Sequence, residues 1–167
     1  MCSATSSRRA SGYDIRRRRL NEGYDEMMLD VTRKPRPVPT GVSQPYWDGL
    51  REHKLLMQRC ADCQQLQFYP RSGCRHCGGT DLSWEQMSGS GHIYSYTVIH
   101  RPPFEAFAAD VPYVYAVIEL DEGPRVVATI ETDDHDSLAV DAPAVAIFDD
   151  GDDGITLLRF RPSDRGK

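Results

Sequence analysis

The chain has 167 residues, 40% of them hydrophobic, with 20 Lys/Arg against 25 Asp/Glu and a formal net charge of −5. That length allows one ordinary domain, or a small module joined to a larger one. No stretch approaches the run of about 18 apolar residues that crosses a bilayer, and no apolar leader marks secretion, so a cytoplasmic protein with no membrane contact is expected.

Charge is uneven along the chain. Residues 1–59 hold 12 Lys/Arg and 7 Asp/Glu, whereas residues 81–167 hold 6 and 17, a net of −11. Residues 1–26 show no hydrophobic periodicity and are expected to be disordered. A basic arm, a transit segment, or a natural start at Met27 or Met28 are the readings open there. Pro35, Pro37 and Pro39 then make an extended lead-in. In "SQPYWDGL", Ser43 can cap a short helix with Pro45 in its first turn, and Tyr46, Trp47 and Leu50 share one face. Leu55, Met57 and Arg59 alternate as a strand leading into the first cysteine.

Cys60-Ala61-Asp62-Cys63 and Cys74-Arg75-His76-Cys77 are two knuckles separated by ten residues. Two intervening residues let both sulfurs of a turn reach one ion, and two knuckles close a tetrahedral four-sulfur site for zinc or iron. Disulfides do not suit a chain without secretion signals, and matched pairs argue for shared ligation over a single redox pair. One structural zinc on Cys60, Cys63, Cys74 and Cys77 is expected, with no open position for catalysis. The metal should be the main support of a ribbon with little core of its own. His76 reads as a solvent-facing loop residue, and Cys2 stands alone.

Beyond Trp84 the pattern becomes period two. Residues 91–100, 113–120, 125–131, 144–148 and 155–160 read as five strands. Asp121-Glu122-Gly123-Pro124 turns between the second and third. The acidic run 149–154 joins the last two; it lacks the distal glutamate of a calcium loop, since Phe160 stands there. Five strands with a longer, helix-prone gap at 132–143 suit a small OB-fold barrel. The expected fold is mainly β: residues 1–39 disordered or extended, 40–80 a short helix plus zinc ribbon, and 81–163 a five-stranded barrel.

The order of these parts, with "WEQMSGSGHIYSYTV" and "PYVYAVIELDEGPRV" after the knuckles, resembles the domain-of-unknown-function-35 family of zinc-ribbon OB-fold proteins. The likeness runs from about Thr40 to Pro162. Gln64, where the first knuckle often has glycine, and Asp141-Ala142, where Gly-Met is usual, depart from the pattern without removing a ligand. The resemblance implies a non-catalytic accessory subunit of an acyl-CoA-processing complex, beside a thiolase-superfamily enzyme or an enoyl-CoA hydratase, with acyl-CoA as a ligand of the complex. The residues agree: no nucleophile triad, phosphate loop or paired catalytic acids stand in a recognisable frame. Arg101 and Arg125 are the candidate CoA contacts. Phe104 and Phe107, in an apolar loop exposed by its position at 101–113, are the candidate partner contacts. The alternative is a single-stranded nucleic-acid binder stacking bases on Tyr94, Tyr96, Tyr113 and Tyr115, which the −11 barrel segment opposes.

Overall fold

The computed structural model describes residues 33–151 and 154–163; the expectations for residues 1–26, and Cys2 with them, lie outside that range. Helix α1 (Gln44–Arg51) begins the fold with Pro45 in its first turn and buries Tyr46 and Leu50 on one face. Ser43 does not cap it with its side chain. The Ser43 hydroxyl turns back three residues instead, accepting the Thr40 N–H at 2.9 Å, while the Thr40 hydroxyl accepts the Ser43 N–H at 3.3 Å. At the other end Lys54 N–H bonds Gly49 O at 2.8 Å and His53 N–H bonds Leu50 O at 2.9 Å. With His53 at φ 56° these are the two bonds of a Schellman cap.

Strands β1 (Leu56–Cys60), β2 (Leu66–Gln67) and β3 (Leu82–Gln86) form an antiparallel sheet in the order β2-β1-β3. The ribbon's sheet therefore takes in residues 82–86, which the sequence pattern groups with the barrel. Leu55 and Met57 are 2% and 1% exposed and belong to the same apolar cluster as Ile93, Val114 and Phe160 of the barrel. The ribbon thus stands on the main core and has more than metal to support it.

The barrel is β4 (Ser90–Ile99), β5 (Tyr113–Leu120), β6 (Arg125–Ile130), β7 (Pro143–Asp150) and β8 (Thr156–Pro162), closed in the order β4-β5-β6-β8-β7. All its pairings are antiparallel except β6 with β8. Alternation decides the faces: Val114, Ala116, Ile118 and Leu120 of β5 are buried, while Tyr115 points out. Gly91 is needed where β4 meets β5, because a Cβ there would lie 2.3 Å from Glu119 O. The five expected strands are all present.

The gap between β6 and β7 contains no helix. Asp134 Oδ1 accepts the N–H groups of Asp136 and Ser137, which holds the acidic stretch in turns. Leu138 alone is buried there, and its carbonyl accepts the Tyr96 hydroxyl at 2.8 Å. Among the described residues no helix is long and apolar enough to cross a membrane.

Candidate metal centre and docking surface

Cys60 closes β1 and Cys63 follows in a turn in which Gln64 N–H bonds Cys60 O at 2.9 Å. The second knuckle turns through Gly78 at φ 81°, with Gly78 N–H on Cys74 O at 2.9 Å. All four Sγ atoms lie within 4.8 Å of one another. The Cys60–Cys77 and Cys63–Cys74 sulfurs are 3.6 Å apart. A disulfide would bring two sulfurs to about 2.05 Å, whereas a tetrahedron with metal–sulfur bonds of about 2.3 Å has edges of about 3.8 Å. The geometry fits four thiolates around one ion, and the soft donor set fits zinc.

The four clustered thiols perturb one another's proton affinities. Backbone N–H groups, that of Cys77 first and that of His76 also, hold the Cys74 thiol down to about 6 against the burial that raises it. Cys77 takes the Gly79 N–H, which lowers it, yet the neighbouring Cys60 and Cys63 thiols push it up to about 12. One thiolate forms readily and suppresses the next, so full ionisation calls for a cation at the centre.

The structure brings the four cysteines together, as expected, and separates the other candidates. Arg125 is committed within the barrel wall: its Nε is 2.5 Å from Glu119 Oε2, and its guanidinium lies 3.4 Å from the Tyr94 ring centroid. It borders a cleft of about 800 Å³ between the knuckles and the β5–β6 turn. Arg59 and Arg75 line this cleft too, but so do Glu119 and Glu122, and Arg59 is paired with Glu85. Its charge is balanced. Arg101 is exposed just after β4, at the opposite end of the β4–β5 pair from Arg125, about 20 Å away along the strands. The two arginines do not converge on one phosphate.

Phe104 and Phe107 are half-buried rather than exposed. Their rings pack edge to face, with centroids 5.0 Å apart. Phe107 also lies 6.5 Å from Tyr113, and Lys34 Nζ sits 5.7 Å over its ring while bonding Asp110 at 2.7 Å. The loop folds onto its own aromatic residues because two phenylalanines three apart bury one another across the 3-10 turn at Glu105–Phe107.

Beside this loop opens a groove of about 970 Å³, which sequence reasoning missed. Its walls are the lead-in 34–38, Tyr46 and Trp47 of α1, and Phe68-Tyr69-Pro70; its floor includes Tyr115 and Val127 on the outside of the barrel. Val38, Tyr69 and Tyr115 are the most exposed large apolar side chains on it, at 84%, 57% and 49%. Of the four tyrosines proposed to stack on bases, Tyr94 is exposed but carries the Arg125 guanidinium on one face, Tyr96 is tied to Leu138, and Tyr113 is half-buried.

Comparison with known proteins follows this architecture. A family described as "ChsH2, rubredoxin-like zinc ribbon domain" matches residues 47–83, and one described as "ChsH2, C-terminal OB-fold domain" matches residues 84–149. The chain is 35% identical over 130 residues to a "Probable enoyl-CoA hydratase alpha subunit" of Thermomonospora curvata, covering 78% of this chain but only 40% of that protein. It is 34% identical over 124 residues to a "DUF35 domain-containing scaffold protein" of Methanocaldococcus jannaschii, covering 70% and 87% of the two chains. Among solved structures, the "Ltp2-ChsH2(DUF35) aldolase" superposes with a TM-score of 0.68 at 35% identity, covering 76% of this chain and 98% of the matched one. The chain belongs to the DUF35/ChsH2 family, a rubredoxin-like zinc ribbon followed by an OB-fold.

Proposed function

We propose that this chain is a non-catalytic scaffold subunit that docks a thiolase-superfamily enzyme or an enoyl-CoA hydratase acting on an acyl-CoA, with one structural zinc in its ribbon. The observation that carries the reading is the match to 98% of the chain solved within the Ltp2-ChsH2(DUF35) aldolase, at 35% identity. The chemistry of the chain agrees with it. Four thiolates fill a zinc coordination sphere and leave no site for water or substrate. An apolar groove with exposed aromatic side chains suits a protein surface or part of a shared passage.

Co-expression with the thiolase-like and hydratase-like proteins of its own genome tests this. The chain should co-purify with one of them as a stable hetero-oligomer, and the isolated chain should turn over no acyl-CoA. Turnover by the isolated chain, or failure to bind any such enzyme, would overturn the reading.

A further inference from the structure

Two glutamines are buried where strand alternation would allow solvent. Gln58 in β1 and Gln67 in β2 face one another in the register and are 5% and 2% exposed. Buried amides must find partners, and these do. Gln67 Nε2 donates to Gln58 Oε1 at 2.9 Å. Gln58 Oε1 also accepts the Arg71 N–H at 2.8 Å, and Gln58 Nε2 donates to Arg71 O at 3.0 Å. Gln67 Oε1 accepts the Arg75 N–H at 2.9 Å, and Gln67 Nε2 reaches Gly73 O at 3.4 Å. Each amide oxygen meets an N–H and each amide nitrogen meets an oxygen, so flipping either side chain would set like against like.

These bonds end on both sides of Cys74. Residues 71–79 belong to no strand, and their backbone bonds stay among themselves: Cys74 N–H to Gly79 O at 2.7 Å and Gly78 N–H to Cys74 O at 2.9 Å. Among the described residues, apart from the sulfur contacts, the hydrogen bonds tying this segment to the rest of the chain run through Gln58 and Gln67. The first knuckle is held differently, by β1 itself and by Ala61 N–H on Asp81 O at 2.9 Å. One strand pair therefore fixes one cysteine pair through its backbone and the other through two amide side chains.

We infer that Gln58 and Gln67 are positioning residues of the metal site, holding the Cys74–Cys77 knuckle beside Cys60 and Cys63 before a metal arrives. The inference rests on the zinc reading of the four cysteines. The ion then closes a cage already in place instead of ordering a coil, which strengthens its binding by sparing the entropy of fixing that segment.

Amide hydrogen exchange on the full chain, zinc-loaded and after chelation under reducing conditions, reads the clamp directly. In the metal-free wild-type chain the Arg71 and Arg75 amides should exchange at least about tenfold more slowly than unstructured amides. Gln58→Leu and Gln67→Leu should abolish that protection and weaken zinc binding about 10–100-fold in competition with a chromophoric chelator. Gln67→Glu, which keeps the acceptor for Arg75 and loses the donors, should fall between. If the leucine variants do not fold, exchange in the metal-free wild-type chain decides alone. Unprotected Arg71 and Arg75 amides beside normal zinc uptake would overturn the clamp, as would wild-type zinc affinity in both leucine variants. A wild-type chain that takes up no zinc would overturn the metal reading itself, and with it the clamp's purpose.

Discussion

His53 and Phe148 lie face to face, with ring centroids 5.1 Å apart and planes 10° from parallel, joining the end of α1 to β7 of the barrel. The same imidazole places Nε2 2.9 Å from the Asp150 carboxylate. His53 holds the left-handed position of the Schellman cap, which glycine adopts with least strain. A histidine there accepts backbone strain and gains a bridge between ribbon and barrel. His53→Ala keeps the strain and loses the bridge, so it should lower stability by about 1 kcal/mol. His53→Gly also loses the bridge but relieves the strain, and should fall less. Urea unfolding should rank wild type above the glycine variant and the glycine variant above alanine; an alanine variant as stable as wild type would dismiss the bridge.

Asp150 gives this junction a pH dependence. The Thr156 hydroxyl, 2.8 Å from Oδ1, and then His53 hold its carboxyl below the ordinary carboxylate value. A carboxyl depressed in the folded state stabilises it above the unfolded value of about 3.9, and that contribution is lost as pH falls through the folded value. Thr156→Val should move the Asp150 titration, followed by carboxyl-carbon NMR, up towards the ordinary range. The pH-dependent part of its stability deficit should be present at neutral pH and vanish in strong acid. Ordinary titration of Asp150 in the wild-type chain would refute this.

The strands and the four cysteines were legible because their signals are local: period-two alternation in "YVYAVIEL" and two knuckles of fixed spacing. What escaped depends on partners distant in sequence. Gln58 and Gln67 look like surface residues until Arg71, Gly73 and Arg75 supply their bonds. Strand β3 is a strand because it pairs with β1, some 26 residues earlier, more than because of its own pattern. Ser43 has a cap's chemistry, but Thr40 engages its hydroxyl first. Residues 132–143 have helix-permitting composition, yet Asp134 captures its neighbours' N–H groups and leaves turns. The groove escaped because it exists only where lead-in, helix, ribbon and barrel meet.

The zinc reading predicts one equivalent of metal per chain purified without a tag; well under half an equivalent would sink it. Cys60→Ser and Cys77→Ser should both lose the ion. The ribbon's sheet shares the main core through Leu55 and Met57, and β1 pairs with β3 from Leu56–Gln86 to Cys60–Leu82. Loss of the metal should therefore loosen the knuckle turns at 61–64 and 76–79, keep the Arg71 and Arg75 amides held by Gln58 and Gln67, and leave β1, β3 and the barrel folded. Hydrogen exchange should localise the change to the knuckles, whereas collapse of the whole β signal would show that the shared core is insufficient.

The partner surface is the remaining expectation, with Phe104 and Phe107 of the 101–113 loop as its contacts. Binding energy concentrates in aromatic anchors that become fully desolvated. Phe104 and Phe107 are half-buried already, and Phe107 lines the same groove as the exposed Tyr69 and Tyr115. Replacing both phenylalanines with aspartate puts two charges into the loop and should weaken the complex at least about tenfold, roughly 1.4 kcal/mol, with zinc content unchanged. Because Phe107 also supports Tyr113 and Lys34, loop collapse could mimic a lost contact. Tyr69→Ala with Tyr115→Ala separates the two effects, since both rings stand outside the core. Weakening by both pairs places the partner across loop and groove, and weakening by the phenylalanine pair alone confines it to the loop where hydrogen exchange of the free variant shows residues 101–113 as ordered as in wild type. A complex indifferent to all four substitutions would put the interface on another face of the chain.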